Sequence, residues 1–293
     1  MLQMCQYILR RSLNRFINFE SAGYKPYSTS GMAGENHTAG LIIIGDEILK
    51  AQVRDTNSHF MCTFLYECGV KVKKISVIGD DINVIANEIR DFSDKYTYVI
   101  TSGGIGPTHD DMTFEGLAKA FDDSLHYHPT LVDIVNKLLN VKDPETPVSK
   151  LAYIPKKATL KFGVDPKTGE SSNYPCVTLK NVYVFPGSPV FLEALFSNLY
   201  KKLFKTNRRF VKEELYIDAK EDSYAAALTT VATQFPRVTF GSYPVSDPSA
   251  GYKARVTIES DNENETNEAR DKFISLVPSN ILVNHNAPCG TSQ

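Results

Sequence analysis

The sequence predicts an α/β protein, with a layered, largely parallel sheet followed by a smaller α+β domain. Three observations predict it. From residue 38 onward, short aliphatic runs alternate with segments of helical periodicity. At residues 101–113 the glycine-rich stretch TSGGIGPTHDDMT joins a β-rich apolar run to a helix. Beyond residue 208 the pattern changes to strand, helix, strand, strand, helix, a unit of a different kind.

Leu41-Ile42-Ile43-Ile44 is a continuous aliphatic run suited to a central strand buried on both faces. It breaks at Gly45-Asp46-Glu47, and residues 57–68 then carry Phe60, Phe64 and Leu65 at helical spacing. Residues 70–78 read as a strand, 83–92 as a helix and 98–102 as a third strand, a βαβαβ progression. Thr113 is expected near the cap of the next helix. Pro129, Pro144, Pro147 and Pro155 divide the following stretch into a helix at 131–139 and irregular connections, and 162–174 reads as a surface excursion. Two short strands are predicted about Lys180-Asn181, then the turn Pro186-Gly187-Ser188-Pro189 and one helix over 190–203. The first domain is expected at 38–205 and the second at 208–285, with a tail at 286–293. In the second domain, strands at 214–218, 238–242 and 252–259 accompany helices at 223–235 and 264–276.

A formal charge of -2 gives no electrostatic footprint for nucleic acid, and no apolar run approaches the ~20 residues needed to cross a bilayer. Neither nucleic acid nor a membrane is expected as a partner. Five cysteines, an odd number without CxxC spacing, argue against a zinc site or a disulfide framework. Residues 1–33 set Arg10, Arg11, Arg15 and Lys25 against the single acid Glu20, with Leu9, Leu13, Phe16 and Ile17 on one helical face. That is the amphipathic, acid-poor pattern of a mitochondrial transit peptide, the alternative being a disordered cytosolic leader. The expected location is therefore the mitochondrial matrix or the cytoplasm.

Gly103, Gly104 and Gly106 allow the backbone to turn sharply and approach an anion closely, and their N–H groups, flanked by Ser102 and Thr108, can receive phosphate. Asp110 and Asp111 follow in the same turn. A hard divalent ion of the Mg or Co type prefers carboxylate and phosphate oxygens, so Asp111, helped by Asp110 or Asp55, is expected to hold one with the ligand completing its shell. Gly45, Asp46 and Glu47 sit at a strand end where open sheets bind ligands; Asp46 can instead fix the Gly45 turn. Asp55 and Asn57 stand where a helix cap or a ligand contact is expected. Pro186, Gly187 and Ser188 lead into a helix whose first amides can receive a second phosphate, or whose cap is simply Ser188. His109 is a secondary candidate for proton transfer, and His126 and His128 read as structural. Tyr243 is placed to stack on a planar ring of a ligand only if the fold brings it to the site.

Ile44-Gly45-Asp46-Glu47-Ile48, Asp55-Thr56-Asn57, residues 101–113 and Phe185-Pro186-Gly187-Ser188-Pro189, in that order, resemble the molybdopterin-binding-like domain of the MoaB, Mog and CinA group. The resemblance covers roughly residues 38–203 and is nearest to the amino-terminal, FAD-hydrolysing half of animal FAD synthase. It implies the three-layer fold of the molybdopterin-binding type. In the Mog-like branch the aspartate of a GGxGxxxxDxT pattern is essential, and that aspartate falls on Asp111 here. The resemblance thus implies Asp111 as catalytic, with Asp110 an added neighbour, and FAD as a substrate cleaved to FMN and AMP; the divalent metal on Asp111, Asp110 and Asp55 remains an expectation from the residues' chemistry. It also implies self-association as a dimer or trimer. No SGGxDS-type ATP-binding loop occurs in these residues, so hydrolysis rather than synthesis is expected. A non-catalytic nucleotide- or pterin-binding module fits the glycine turn as well. A Mog-type cofactor enzyme fits the GDEI and DTN forms and the appended domain less well.

Overall fold

The computed structural model describes residues 37–139, 146–164, 169 and 171–283, so the leader at 1–33 and the tail at 286–293 lie outside the described residues. The chain divides into two compact units with the boundary between Thr206 and Asn207. In the first, strands β1 (Thr38–Ile44), β2 (Lys71–Ile78) and β3 (Tyr98–Ser102) alternate with helices α1 (Asp46–Leu49), α2 (Asn57–Glu67) and α3 (Ile82–Lys95). Helix α4 (Thr113–Ala120) follows the glycine turn, then come β4 (Leu125–Tyr127), α5 (Pro129–Leu139), a 3₁₀ segment at Pro147–Ala152 and β5 (Tyr153–Pro155). Strands β6 (Thr159–Lys161), β7 (Cys176–Leu179) and β8 (Val182–Phe185) and helices α6 (Pro189–Ser197) and α7 (Tyr200–Leu203) complete the unit.

The main sheet runs in the order β2-β1-β3-β8-β7-β6. It is parallel from β2 to β8 and antiparallel at β7 and β6. The expected three-layer, mostly parallel architecture is present, and β1 shows why. Ile42 and Ile44 are buried with Ile85, Ile89 and Phe92 of α3 and Phe114 and Leu117 of α4. Leu41 and Ile43 are buried on the opposite face with Met61 and Leu65 of α2 and Leu192 and Phe196 of α6. A β-branched run with no polar residue is the pattern of a strand covered on both sides. Helix α3 begins where Asp81 accepts from the amides of Asn83 (2.8 Å) and Val84 (2.9 Å).

Several elements differ from expectation. The helix predicted over 190–203 is interrupted between α6 and α7, where the Asn198 carbonyl accepts from Val164 N (3.3 Å), a long-range partner. Strands β4 and β5 pair antiparallel as a separate two-stranded ribbon within the proline-rich stretch, and β6 joins the main sheet by pairing with β7. Asp46–Leu49 makes a short helix where the sequence suggested only a break.

The second unit is the expected small α+β domain. Its sheet has the order β10-β11-β9-β12, with β9 (Val211–Ile217), β10 (Thr239–Pro244), β11 (Ala254–Ser260) and β12 (Leu282–Val283) all antiparallel. Helices α8 (Ala225–Gln234) and α9 (Glu263–Leu276) cover one face through Val231, Ala269 and Phe273, packed with Ile217, Val256 and Ile258. Alternate residues of β11 are buried and half-exposed, the signature of a sheet with one covered face. Among the described residues, no helix is long and apolar enough to cross a membrane.

Candidate functional site

The strand order places β1 between β2 and β3, so the chain reverses direction across the sheet beside β1, where open α/β sheets form a ligand crevice. Parallel register brings the carboxyl ends together. Gly45 N donates to Ile78 O (3.0 Å), and Gly103 N donates to Phe185 O (3.2 Å).

The turn after β3 is built from glycine geometry. Gly103 and Gly104 have φ of 110° and 63°, in the region that disfavours any side chain. A Cβ on Gly103 would lie 2.0 Å from Ile44 O, and one on Gly187 would lie 3.0 Å from the Gly103 Cα. Three neighbouring strand ends therefore touch backbone to backbone. Thr113 closes the turn: its amide donates to Gly104 O (2.9 Å) and its hydroxyl to Gly103 O (2.8 Å). Thr113 begins α4 rather than capping it, with Met112 at the cap position. Among the described residues, the amides of Gly104, Ile105 and Gly106 donate to no protein acceptor. Such unpaired, half-exposed donors in a glycine turn suit an anion.

Asn57 braces the site from below. It is 7% exposed, and its side-chain amide donates to Ser102 Oγ (3.0 Å) and Gly187 O (2.7 Å), while Ser102 Oγ donates to Pro186 O (3.1 Å). Asn57 and Ser102, both expected at the ligand, thus hold the β3 end to the Pro186-Gly187 turn. Ser188 stands at the cap position of α6 without a side-chain hydrogen bond to the helix.

The carboxylates separate into two groups. Asp46, Asp80, Asp81 and Asp110 line one cleft of about 470 Å³, together with Lys50 and His109. Asp46 N donates to Asp80 Oδ2 (2.9 Å), and Asp46 Oδ2 accepts from Lys50 Nζ (2.8 Å). That Lys50 contact holds the Asp46 carboxyl below the ordinary range. Burial pushes Asp80 up, and the negative charges of Glu47, Asp46 and Asp110 add to the effect against the opposing hydrogen bond from the Asp46 amide. The Thr108 side chain and its own backbone amide hold Asp110 down. Glu47 folds back on Gly45, where a Cβ would lie 2.5 Å from its Oε1.

Of the three carboxylates expected at a metal, Asp110 lines this cleft, whereas Asp111 and Asp55 lie outside it, each engaged by a neighbouring backbone amide. Asp111 Oδ2 accepts from Thr108 N (2.8 Å) and from the Thr108 hydroxyl, so the carboxylate is engaged within its own turn. Asp55 Oδ1 caps α2 through Ser58 N (3.0 Å). Among the described residues, no group of three or more His, Cys, Asp or Glu side chains is placed to hold a metal. His109 is exposed, with Nδ1 3.9 Å from Asp110 Oδ1. His126 and His128, on and beside β4, face each other at 5.6 Å between ring centroids, and burial lowers the His128 pKa. Tyr243 lies in the second unit, where the Arg255 guanidinium sits 5.3 Å from its ring centroid.

Two residues were missed by sequence reasoning. Asp80 was available to any reading that paired β2 with β1, because it follows the last β2 residue as Asp46 follows β1. Lys150 donates to Thr108 O (3.0 Å) and pairs with Glu115 (3.5 Å), a contact made across the proline-rich stretch and carrying no local signal.

Residues 40–206 match the probable molybdopterin binding domain, and residues 209–286 match the FAD synthase middle domain. The chain belongs to the probable molybdopterin binding domain family. Among curated relatives, a probable FAD synthase of Caenorhabditis elegans is 40% identical over 254 residues, covering 80% of this chain and 49% of that protein. A probable FAD synthase of Caenorhabditis briggsae is 38% identical over 268 residues, covering 85% of this chain and 51% of the relative. The chain thus spans about half the length of these relatives. The crystal structure of CinA, a protein of unknown function from Thermoplasma acidophilum, superposes with a TM-score of 0.51 at 30% identity, covering 57% of this chain and 98% of that one.

Proposed function

We propose that this member of the family hydrolyses the diphosphate of a nucleotide, with FAD as substrate and FMN and AMP as products. The observation that carries the reading is the juxtaposition of unpaired amides at Gly104, Ile105 and Gly106 with a cleft lined by Asp46, Asp80, Asp81 and Asp110. Amides of this kind favour phosphate oxygens, whereas four carboxylates repel them. A bound divalent cation would make the two halves compatible, because it would offset the carboxylates' charge. The donor set fits such an ion: its members are hard oxygen ligands, and magnesium is commonly held by one or two carboxylates plus substrate phosphates rather than by an all-protein cage. Asp80 and Asp110 would hold it, and when bound it would polarise a phosphoryl group and acidify a coordinated water. The chain's own part is to neutralise the diphosphate through the turn amides and to fix that turn through Thr113, Thr108 and Asn57. Names of the relatives support a flavin as the nucleoside portion.

Purified protein incubated with FAD and a panel of divalent ions should release FMN and AMP. Asp80→Asn should slow that release by about 10²-fold or more, the cost of losing one preorganised electrostatic contact, and Asp111→Asn should slow it indirectly, by loosening the turn that its carboxylate holds through Thr108. Absence of turnover with every ion would sink the proposal. A binding-only module is the second reading, favoured by the engagement of the Asp111 carboxylate with Thr108. Tight FAD binding without product would establish it. The import reading of residues 1–33 is tested by a fluorescent fusion of that segment, and a diffuse cytosolic signal removes it.

A further inference from the structure

A second concavity lies against the same turn. It has a volume of about 720 Å³, and its mostly apolar wall includes Pro107, Thr108, Tyr127, Pro147, Lys150 and Tyr153. His109 lines both this cleft and the carboxylate cleft, so the two flank one short stretch of backbone. The size falls within the range of pockets that enclose small molecules, roughly 300–1,000 Å³.

Its aromatic wall comes from the β4–β5 ribbon. Tyr127 and Tyr153 are direct cross-strand partners, their rings 4.8 Å apart and inclined at 41°. Tyr127 remains 55% exposed. A tyrosine left open over an apolar hollow offers a π face to a planar ring, and base–aromatic stacking is worth about 1–3 kcal/mol per ring. Lys150 fixes the hollow relative to the anion-binding turn, since its ammonium donates to Thr108 O and pairs with Glu115. Of the three ammonium donors these contacts use two, which leaves one for a ring carbonyl or a phosphate oxygen.

We infer that this cleft is a ring subsite: it takes a planar nitrogen heterocycle of the nucleotide, stacked on Tyr127, while the attached phosphates lie on the Gly104–Gly106 amides. The inference rests on the diphosphate reading of that turn and adds which end of the molecule is gripped and by what. Both ends of FAD present a planar heterocycle, the flavin ring and adenine. The flavin is the larger and more electron-poor, and so the better partner for an electron-rich phenol ring.

The test uses the two products, which carry one phosphate each and have no diphosphate to cleave. FMN is titrated by quenching of its own fluorescence and AMP by calorimetry, against the full chain and against Tyr127→Ala and Tyr127→Phe. Tyr127→Ala is expected to weaken FMN about 10-fold, which corresponds to ~1.4 kcal/mol. Tyr127→Phe is expected to stay within about twofold, because it keeps the π face. A loss confined to AMP keeps the subsite and assigns it to adenine. Failure of either product to bind the unaltered chain, or affinities untouched by Tyr127→Ala, overturns the inference. Should Tyr127→Ala melt early, Tyr127→Leu retains apolar bulk without a π face and serves the same comparison. Because binding is read apart from turnover, Tyr127-dependent affinity without FAD hydrolysis would sink the proposed reaction and leave the subsite standing; turnover with Tyr127-independent affinity would do the reverse.

Discussion

Two glycines of one turn should respond in opposite ways to the same added methyl group. In Gly103→Ala the new Cβ would sit 2.0 Å from the Ile44 carbonyl oxygen, more than an ångström short of ordinary contact, and the obstacle is backbone in the central strand. Its φ of 110° adds a conformational cost of about 1–2 kcal/mol for an L side chain. Overpacking contributes a further 1–3 kcal/mol or so, for a total of roughly 2–5 kcal/mol. For a domain of this size each kcal/mol lowers Tm by about 2–4 °C, so a drop of roughly 4–20 °C is expected. In Gly106→Ala the obstacle is different: the Cβ would lie 2.6 Å from Asp111 Oδ2, a side-chain atom that can move, and the backbone carries no positive φ. The carboxylate must leave its position on Thr108. A displacement approaching 1 Å in a turn that positions the reacting groups costs up to about 10²-fold in rate. Circular-dichroism melting and steady-state FMN release, run on both variants, measure the two effects. A Gly103→Ala protein that melts with the unaltered one would refute the described contact with β1. A Gly106→Ala protein with full activity would show that Asp111 plays no part in the reaction.

Asp80→Asn should raise Tm in chelator-treated protein at neutral pH. Its carboxyl is pushed above the ordinary range in the folded state, so carrying the charge costs stability at high pH. The cost vanishes as pH falls below the ordinary carboxylate value near ~4, and the stability gain of the variant should shrink to zero over that descent. A gain that is constant with pH would mean the effect is not electrostatic. Asn57→Ala removes two donated hydrogen bonds from a buried side chain and should cost about 1–3 kcal/mol in chemical denaturation, with KM for FAD raised because Gly187 is released. Magnesium titrated calorimetrically should bind more tightly, by about 10-fold, when a nucleoside diphosphate such as ADP is present, because among the described residues no group of three or more carboxylate, His or Cys side chains makes a cage. Equal affinity with and without ADP would count against a shared metal and phosphate site.

The layered sheet was legible because its determinants are local. An unbroken Leu41-Ile42-Ile43-Ile44 run has few alternatives to a doubly covered strand, and the Gly103-Gly104 pair announces a turn that only glycine forms easily. What escaped depends on distant partners. At the break the Asn198 carbonyl accepts from Val164, far back in the chain, a partner that no local pattern announces. The β4–β5 ribbon pairs three-residue strands across a proline-rich connection, too short for periodicity to register. In the site, the glycine turn and its two aspartates were visible as a motif, but their division of labour was not. Asp111 is turned inward by Thr108, and Asp80 reaches the cleft only because β2 lies beside β1. Asn57, expected at a helix cap or a ligand, is a buried brace between the β3 end and the Pro186-Gly187 turn.

The contact of Gly187 with Gly103, and of Gly103 with the last residue of β1, leaves no room for a side chain at the centre of the site. If the turn receives phosphate as proposed, the receptor is written in main-chain atoms, and substitution can break it but cannot retune it. Any change in what the protein accepts has to be made at the rim, where Tyr127, Lys150 and His109 stand free of that constraint. A library confined to those three positions should shift preference among nucleotides while leaving phosphate capture intact.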